Sequence, residues 1–474
     1  MFTTKRLTAA LAVCLLSGVG VADAAAAPGD LVQKPGAAGC LSIIGFCDRG
    51  AALDGAESIT VSPDGTSAYV ASTSDDAVAV FDRASDGTLT QKPGPAGCIS
   101  DSGAGRCRDG TALDRATSVA VSPDGQSVYV ASASSDAVAV FDRAPNGRLV
   151  QKPGTAGCIS DTGTDGCTDG TALAFPESVT VSPDGQSVYV ASINSDAVAV
   201  FDRAGDGTLT QKPGTAGCIS ETGAGPCVDG TALDFARSVV VSPDGRSAYV
   251  TASTSNAVAV FDRAGDGTLT QKPGAAGCIS EAGIIDGCTD GRGLTFAKAV
   301  AISPDGRSAY VASRIGAVAM FDRTRNGRLI QKPGTAGCIS GNGDGPCIDA
   351  TALGTPDSVA VSPDGQSAYV TASTSGAVAV FDRAPNGTLA QKRGAAGCIR
   401  DVTGAGRCAG GTALASAASV AVSPDGQNAY IASRGSDAVA VFDREPSPPA
   451  TPDTTTPVMS GLDPSLDLSP TLRR

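Results

Sequence analysis

A chain of 474 residues with 60 Gly, 12 Phe, 7 Tyr and no Trp suits a fold packed from many small residues rather than around one large core. It also contains no His, which excludes every His-dependent hydrolytic mechanism. A net charge of −13 and a pI near 4.5 argue against nucleic acid or an anionic membrane surface as partner.

In chain order, Lys5 and Arg6 precede a mostly apolar run from Leu7 to Val21, and Ala22-Asp23-Ala24 offers a small-residue cleavage site. Residues 1–24 read as a secretory signal peptide, whose removal takes away Lys5, Arg6 and Asp23 and moves the net charge from −13 to −14. Leu11-Ala12-Val13-Cys14 is a poor lipobox, because Val precedes the Cys and the apolar run ahead of it is short. No other stretch approaches the ~20 apolar residues of a membrane span. The expected location is secreted or extracytoplasmic, in the periplasm or at the cell surface.

Of the 15 Cys, Cys14 belongs to that leader, and the rest fall in seven close pairs. These are Cys40 with Cys47, Cys98 with Cys107, Cys158 with Cys167, Cys218 with Cys227, Cys278 with Cys288, Cys338 with Cys347 and Cys398 with Cys408. In an exported protein this spacing predicts local disulfides. Zinc would want C-x-x-C spacing and usually some His. No metal and no cofactor is expected.

Ser-Pro-Asp-Gly begins at Ser62, Ser122, Ser182, Ser242, Ser303, Ser362 and Ser423, a period of 59 to 61 residues. Each unit, as in residues 178–211, breaks into four short strands. Ser-Pro-Asp-Gly turns the first strand into the second, and Asp-Gly or Asn-Gly, as at Asn146-Gly147, joins the third to the fourth. Six such hairpins serve seven units. After Phe442-Asp443-Arg444 the chain runs into Glu445-Pro446-Ser447-Pro448-Pro449, which cannot extend a ladder, while Leu31-Val32-Gln33-Lys34-Pro35-Gly36 copies the fourth strand without the rest of a unit. The N-terminal strand is therefore expected to complete the last blade of a closed ring, which removes its edges. In Ala197-Val198-Ala199-Val200-Phe201 the alternation puts Ala on one face and Val on the other, so that sheets can stack on both.

The predicted architecture is an all-β, seven-bladed β-propeller of four-stranded antiparallel blades over residues 31–444. Residues 445–474, rich in Pro, Thr and Ser, read as a disordered tail. The repeated run SPDGQSVYVAS followed by AVAVFDR resembles the YVTN-type repeats of bacterial propellers and the lactonase-like seven-bladed propellers, from about Leu31 to Arg444. The name-giving Tyr-Val-Thr-Asn is mostly Tyr-Val-Ala-Ser or Tyr-Val-Thr-Ala here, and every repeat adds a Cys-bridged loop. The resemblance implies the fold; activity does not follow from it.

Residues used once per blade read as structural. The seven Tyr share one column, Tyr69 to Tyr430, where packing with a satisfied hydroxyl is the expectation. Phe-Asp-Arg, as at Phe81-Asp82-Arg83, should lock blades through packing and an ion pair or turn bonds. Asp161-Thr162-Gly163-Thr164-Asp165-Gly166, with Asp169, has the alternating oxygens of a Ca²⁺ loop, but the other copies break the pattern, so turn and cap bonding by Asp is the expectation. One column varies: Glu57, Thr117, Glu177, Arg237, Lys298, Asp357 and Ala418, just ahead of each first strand. In a propeller the first strand is innermost, so these residues should crowd the channel mouth on the face carrying the disulfide loops. Mixed charges there form a candidate ligand-binding site.

These features favour a secreted binding or scaffold protein, a monomer presenting stapled loops to an extracellular protein, glycan or small polar ligand. The alternative is a lactonase-like hydrolase at the channel mouth, with Glu177 or Glu57 as base and Arg237 or Lys298 stabilising an oxyanion. No residue stands out as a catalytic nucleophile beside a recognisable base.

Overall fold

The computed structural model describes residues 27–445, except 44, 46, 104, 342, 344–345 and 402–406. The proposed leader 1–24 and nearly all of the proposed tail lie outside the described residues. Seven sheets follow one another around a ring, and no helix among the described residues is long and apolar enough to cross a membrane.

One blade shows the plan. Pro176–Val181, Ser187–Ser192 and Ala197–Arg203 form an antiparallel meander joined by Ser-Pro-Asp-Gly and a tight hairpin. The fourth position differs from the single strand expected. Leu209–Gln211 pairs with the far end of the third strand, a short 3-10 turn at Gly214–Gly217 interrupts it, and Cys218–Ser220 resumes pairing near the start. The Cys-bridged loop then returns two residues, Val228–Asp229, as a parallel edge strand. Pro213 breaks the outer strand because it has no N–H for the ladder, and the disulfide carries the chain around the edge. Each blade is thus a sheet of six segments.

Blades stack through small residues. In one interface Val138 and Val140 of the second blade pack on Ala197, Ala199 and Phe201 of the third, with Tyr129 buried between them.

All seven expected disulfides are present and local. Cys40 is bonded to Cys47, Cys98 to Cys107, Cys158 to Cys167 and Cys218 to Cys227. Cys278 is bonded to Cys288, Cys338 to Cys347 and Cys398 to Cys408. The first Cys of each pair opens the inner part of the split fourth strand and is buried. The second stands where the loop returns, buried at Cys167 and Cys227 and half-buried at Cys47, Cys107, Cys288, Cys347 and Cys408. The bridges therefore staple the outer edge of each blade, in a density that suits an oxidising compartment. A bridge closing a loop of about ten residues contributes roughly 2.5–3 kcal/mol in the chain-entropy model. Reduction is expected to lower Tm while leaving the β signal in circular dichroism. Free thiols in the oxidised protein, or peptides cross-linked between repeats, would refute the local pairing.

Phe-Asp-Arg locks the blades in an unexpected way, because Arg does not pair with its neighbouring Asp. Arg143 of the second blade reaches back to the first, donating from Nε to Tyr69 Oη at 2.7 Å and from Nη2 to Asp64 Oδ2 at 2.8 Å. Tyr69 in turn donates to the Gly147 carbonyl of the second blade at 2.8 Å. Asp64 is the acid of Ser-Pro-Asp-Gly, so the turn also serves as the acceptor of an inter-blade latch. The triplet Asp instead pairs outward with the Lys of the fourth strand, as in Asp202–Lys212 at 2.6 Å.

The seam is closed as expected, and more completely. Leu31–Gln33 pairs antiparallel with Ala438–Arg444, and so does Cys40–Ser42. Lys34 binds Asp443 at 2.7 Å. Tyr369 donates to the Gly29 carbonyl at 2.9 Å, so Gly29, at φ +80°, stands in for the glycine of the missing seventh hairpin.

Candidate functional site

The variable column lies inside each first strand, as its second residue, rather than ahead of it. In every blade the pairing slips there: Ala56 faces Ser72 and Ser58 faces Ala71, leaving Glu57 as the extra residue of a bulge. A bulge re-aims a side chain without breaking the strand, and in five of the seven blades it places that residue at one cavity.

A cavity of about 510 Å³ opens there, lined by Glu57, Thr117, Glu177, Arg237 and Lys298 among others. No disulfide Cys borders it, so the stapled loops shape the blades without lining this cavity. Thr117 is buried, and its hydroxyl bonds the carbonyls of Ala131 and Pro176, so its role is structural. Asp357 is also buried and does not line the cavity. It anchors two arginines absent from the sequence-based candidates: Arg314 at 2.7 Å and Arg434 at 3.3 Å. Both line the cavity, and Arg434 also reaches Glu57 at 3.1 Å. Their signal was a second variable column, the residue after Tyr-Val-Ala-Ser or its equivalent: Thr73, Ala133, Ile193, Ser253, Arg314, Ser373 and Arg434.

Glu177 accepts from Lys298 at 2.8 Å and lies 3.5 Å from Arg237. Burial alone would raise its carboxyl, but those two charges and the hydrogen bond outweigh it and bring the pKa down to about 2. Glu57 behaves oppositely. Its side chain is only 14% exposed, and burial pushes its carboxyl above the ordinary value despite Lys298 and Arg434, with Glu177 and Asp357 adding to the rise. Five cations, Arg115, Arg237, Lys298, Arg314 and Arg434, thus line the cavity with two carboxylates, Glu57 and Glu177, while Asp357 anchors two of the five from outside it. A protein of net charge −13 carries a cationic channel mouth.

The Asp-Gly loop serves as a tether. Asp161 accepts from the Leu173 N–H at 2.8 Å, fixing the segment that leads into the first strand, and among the described residues no cluster of three or more His, Cys, Asp or Glu is placed to hold a metal ion.

The family model "Lactonase, 7-bladed beta-propeller" matches residues 51–228, 117–336 and 348–464. The chain belongs to that family. No curated protein sequence matches this lactonase-family propeller. Among solved structures, hydrazine synthase of Kuenenia stuttgartiensis is similar at 19% identity, with 84% of this chain and 98% of that chain covered and a TM-score of 0.52. A functionally unknown protein of Desulfotomaculum acetoxidans is similar at 15% identity, with 79% and 91% covered and a TM-score of 0.50. The periplasmic gluconolactonase of Pseudomonas aeruginosa is 19% identical, with 70% and 83% covered and a TM-score of 0.46. At these identities the likeness is one of fold.

Proposed function

We propose that the propeller hydrolyses a sugar-acid lactone at its channel mouth, with Glu57 as general base. The observation that carries this reading is the divergence of two carboxylates over one cavity. Glu177 stays ionised and positions Lys298 and Arg237, while burial holds the Glu57 carboxyl above the ordinary carboxylate value, the direction a general base needs. Family membership favours this hydrolytic reading over the scaffold.

The step balances without His. Glu57 takes a proton from water as its oxygen attacks the lactone carbonyl carbon, and the resulting oxyanion meets the guanidinium and ammonium groups lining the cavity. When the ring C–O bond breaks, the proton held on Glu57 passes to the leaving alkoxide. The product hydroxy acid carries a new carboxylate, which the excess of cations binds and water displaces.

Glu57→Gln keeps the shape of the side chain and removes the base. Its kcat on aldonolactones, followed by pH-stat, is expected to fall about 100-fold or more, with Tm unchanged or raised because a desolvated carboxyl is gone. In the parent protein, kcat/KM should decline as pH falls through a limb above the ordinary Glu value of about 4.3. Unaltered turnover in the Gln variant, or no turnover of any aldonolactone by the parent, would dismiss the reading.

A further inference from the structure

Of the 12 Phe, seven belong to Phe-Asp-Arg and are buried, and Phe2 and Phe46 lie outside the described residues. The remaining three, Phe175, Phe235 and Phe296, occupy one column in three successive blades, two residues ahead of the bulge. All seven Tyr are buried and there is no Trp. The two most exposed aromatic rings among the described residues therefore stand in this one column: Phe235 is 37% and Phe296 53% exposed.

The backbone makes the choice of Phe costly. These residues have φ of +58°, +62° and +55°, the left-handed region that bulky side chains avoid. The fold imposes that geometry on every blade, since Gly55, Arg115, Thr355 and Ser416 also have positive φ there. A carboxylate or amide on the preceding blade holds it, as where the Phe175, Phe235 and Phe296 N–H groups donate to Asp136, Asp196 and Asn256 at 2.7 Å. Glycine is the residue best suited to the position, and one blade uses it. Three adjacent blades carry Phe instead, partly or largely in solvent, where burial repays nothing.

Two of the rings are oriented by the site's own cations. Arg115 stacks over Phe175 at 5.1 Å and Arg237 over Phe235 at 5.3 Å. Phe175 and Phe235 line the cavity, whereas Phe296 lies outside it on the next blade. The cavity floor is charged, and Thr73, Ser74 and Asn194 add hydroxyl and amide groups to its wall. Polar groups below and flat apolar faces along one side match a pyranose, which has hydroxyls around its rim and a C–H face that stacks on aromatic rings.

We propose that the ligand is longer than one sugar: the acid or lactone end of an oligosaccharide sits among the cations, and the next ring stacks on Phe235 and Phe296. This rests on the proposed preference for a sugar acid but not on turnover. The exposed arc is then a subsite that selects disaccharide or longer aldonic ligands over a single aldonic acid.

Calorimetric titration of the full chain with cellobionic acid and with gluconic acid tests it. The parent is expected to bind the disaccharide acid about 3- to 10-fold more tightly, the size of one ring stack. Phe296→Leu should bring that ratio close to one, and Phe296→Tyr, which keeps the ring face, should restore it, with Tm of each variant verifying the fold. A ratio near one in the parent, a Leu variant that keeps the parent ratio, or no binding of either acid overturns the subsite. If the ratio holds while no lactone is turned over, the hydrolytic reading fails and the subsite stands; if lactones are hydrolysed with a ratio of one, the subsite fails and hydrolysis stands.

Discussion

Deleting residues 27–36 is expected to leave a propeller that aggregates or melts about 5–10 °C below the parent. The deletion removes three backbone pairings to the last blade and the buried side chain of Leu31, and it takes Gly29 from the Tyr369 hydroxyl. Burial of one Leu contributes about 2 kcal/mol, and a buried hydroxyl deprived of its acceptor costs about 1–3 kcal/mol. The sum is a large fraction of the 5–15 kcal/mol that holds a typical domain. The worse consequence is kinetic, because the outer half of the last blade's third strand, Phe442 to Arg444, becomes an unpaired edge while Cys40–Ser42 still covers the inner half. A permuted chain separates loss of the strand from a mere change of termini. Glu445 and Gly29 already exchange a hydrogen bond at 2.7 Å, so Glu445 can run directly into Pro28 with new ends opened at Asn146-Gly147. That chain should melt close to the parent. If it behaves as badly as the deletion, the seam is not what closes the ring.

The ring was legible in the sequence because each of its devices is written seven times. Turns, the Ala and Val faces, the Cys pairs and the N-terminal copy of Leu-x-Gln-Lys-Pro-Gly all point to one architecture. What was less legible involved pairings between repeats. Arg143 carries an Asp at its side, so local reading pairs the two, yet its partner is Asp64, in the preceding blade. Only the stacked geometry brings that turn within reach. The site was half visible for a related reason. Variation marked Glu57, Glu177, Arg237 and Lys298, but Arg314 and Arg434 stand at the far end of the second strand, next to a hairpin whose length changes at Arg314-Ile315-Gly316. The Phe arc was hidden because exposure at a positive φ is not a property of composition.

Acid should first stabilise the protein slightly and then unfold it steeply. Burial pushes the carboxyls of Glu57, Asp75, Asp114, Glu221, Asp234 and Asp401 above their ordinary values. Such groups bind protons more readily folded than unfolded, so stability rises as pH falls from neutrality toward about 5. The latch acids act in the opposite sense. In Asp64, Asp124, Asp184, Asp244, Asp305, Asp364 and Asp425 burial is outweighed by hydrogen bonds from the turn and from Arg of the next blade, and every one is held below the ordinary Asp value. Their contribution is complete above the unfolded pKa of about 3.9 and is lost as pH drops through the lower folded values. All seven sites are shifted in the same direction by the same kind of partners. Unfolding below about pH 4 should therefore take up several protons together, though partial exposure of these carboxylates tempers each contribution. Thermal melts from pH 8 to pH 2 should show a shallow maximum near pH 5 and a sharp decline below 4. Replacing one latch Arg, as in Arg203→Met, leaves its Asp without the guanidinium at 2.8 Å and should cost about 2–3 kcal/mol at neutral pH. Because that Asp then titrates nearer its unfolded value, the same variant should lose less than the parent between pH 5 and pH 3. A flat acid profile in the parent, or an Arg203→Met variant whose deficit is the same at every pH, would rule out the latches as the acid-sensitive element.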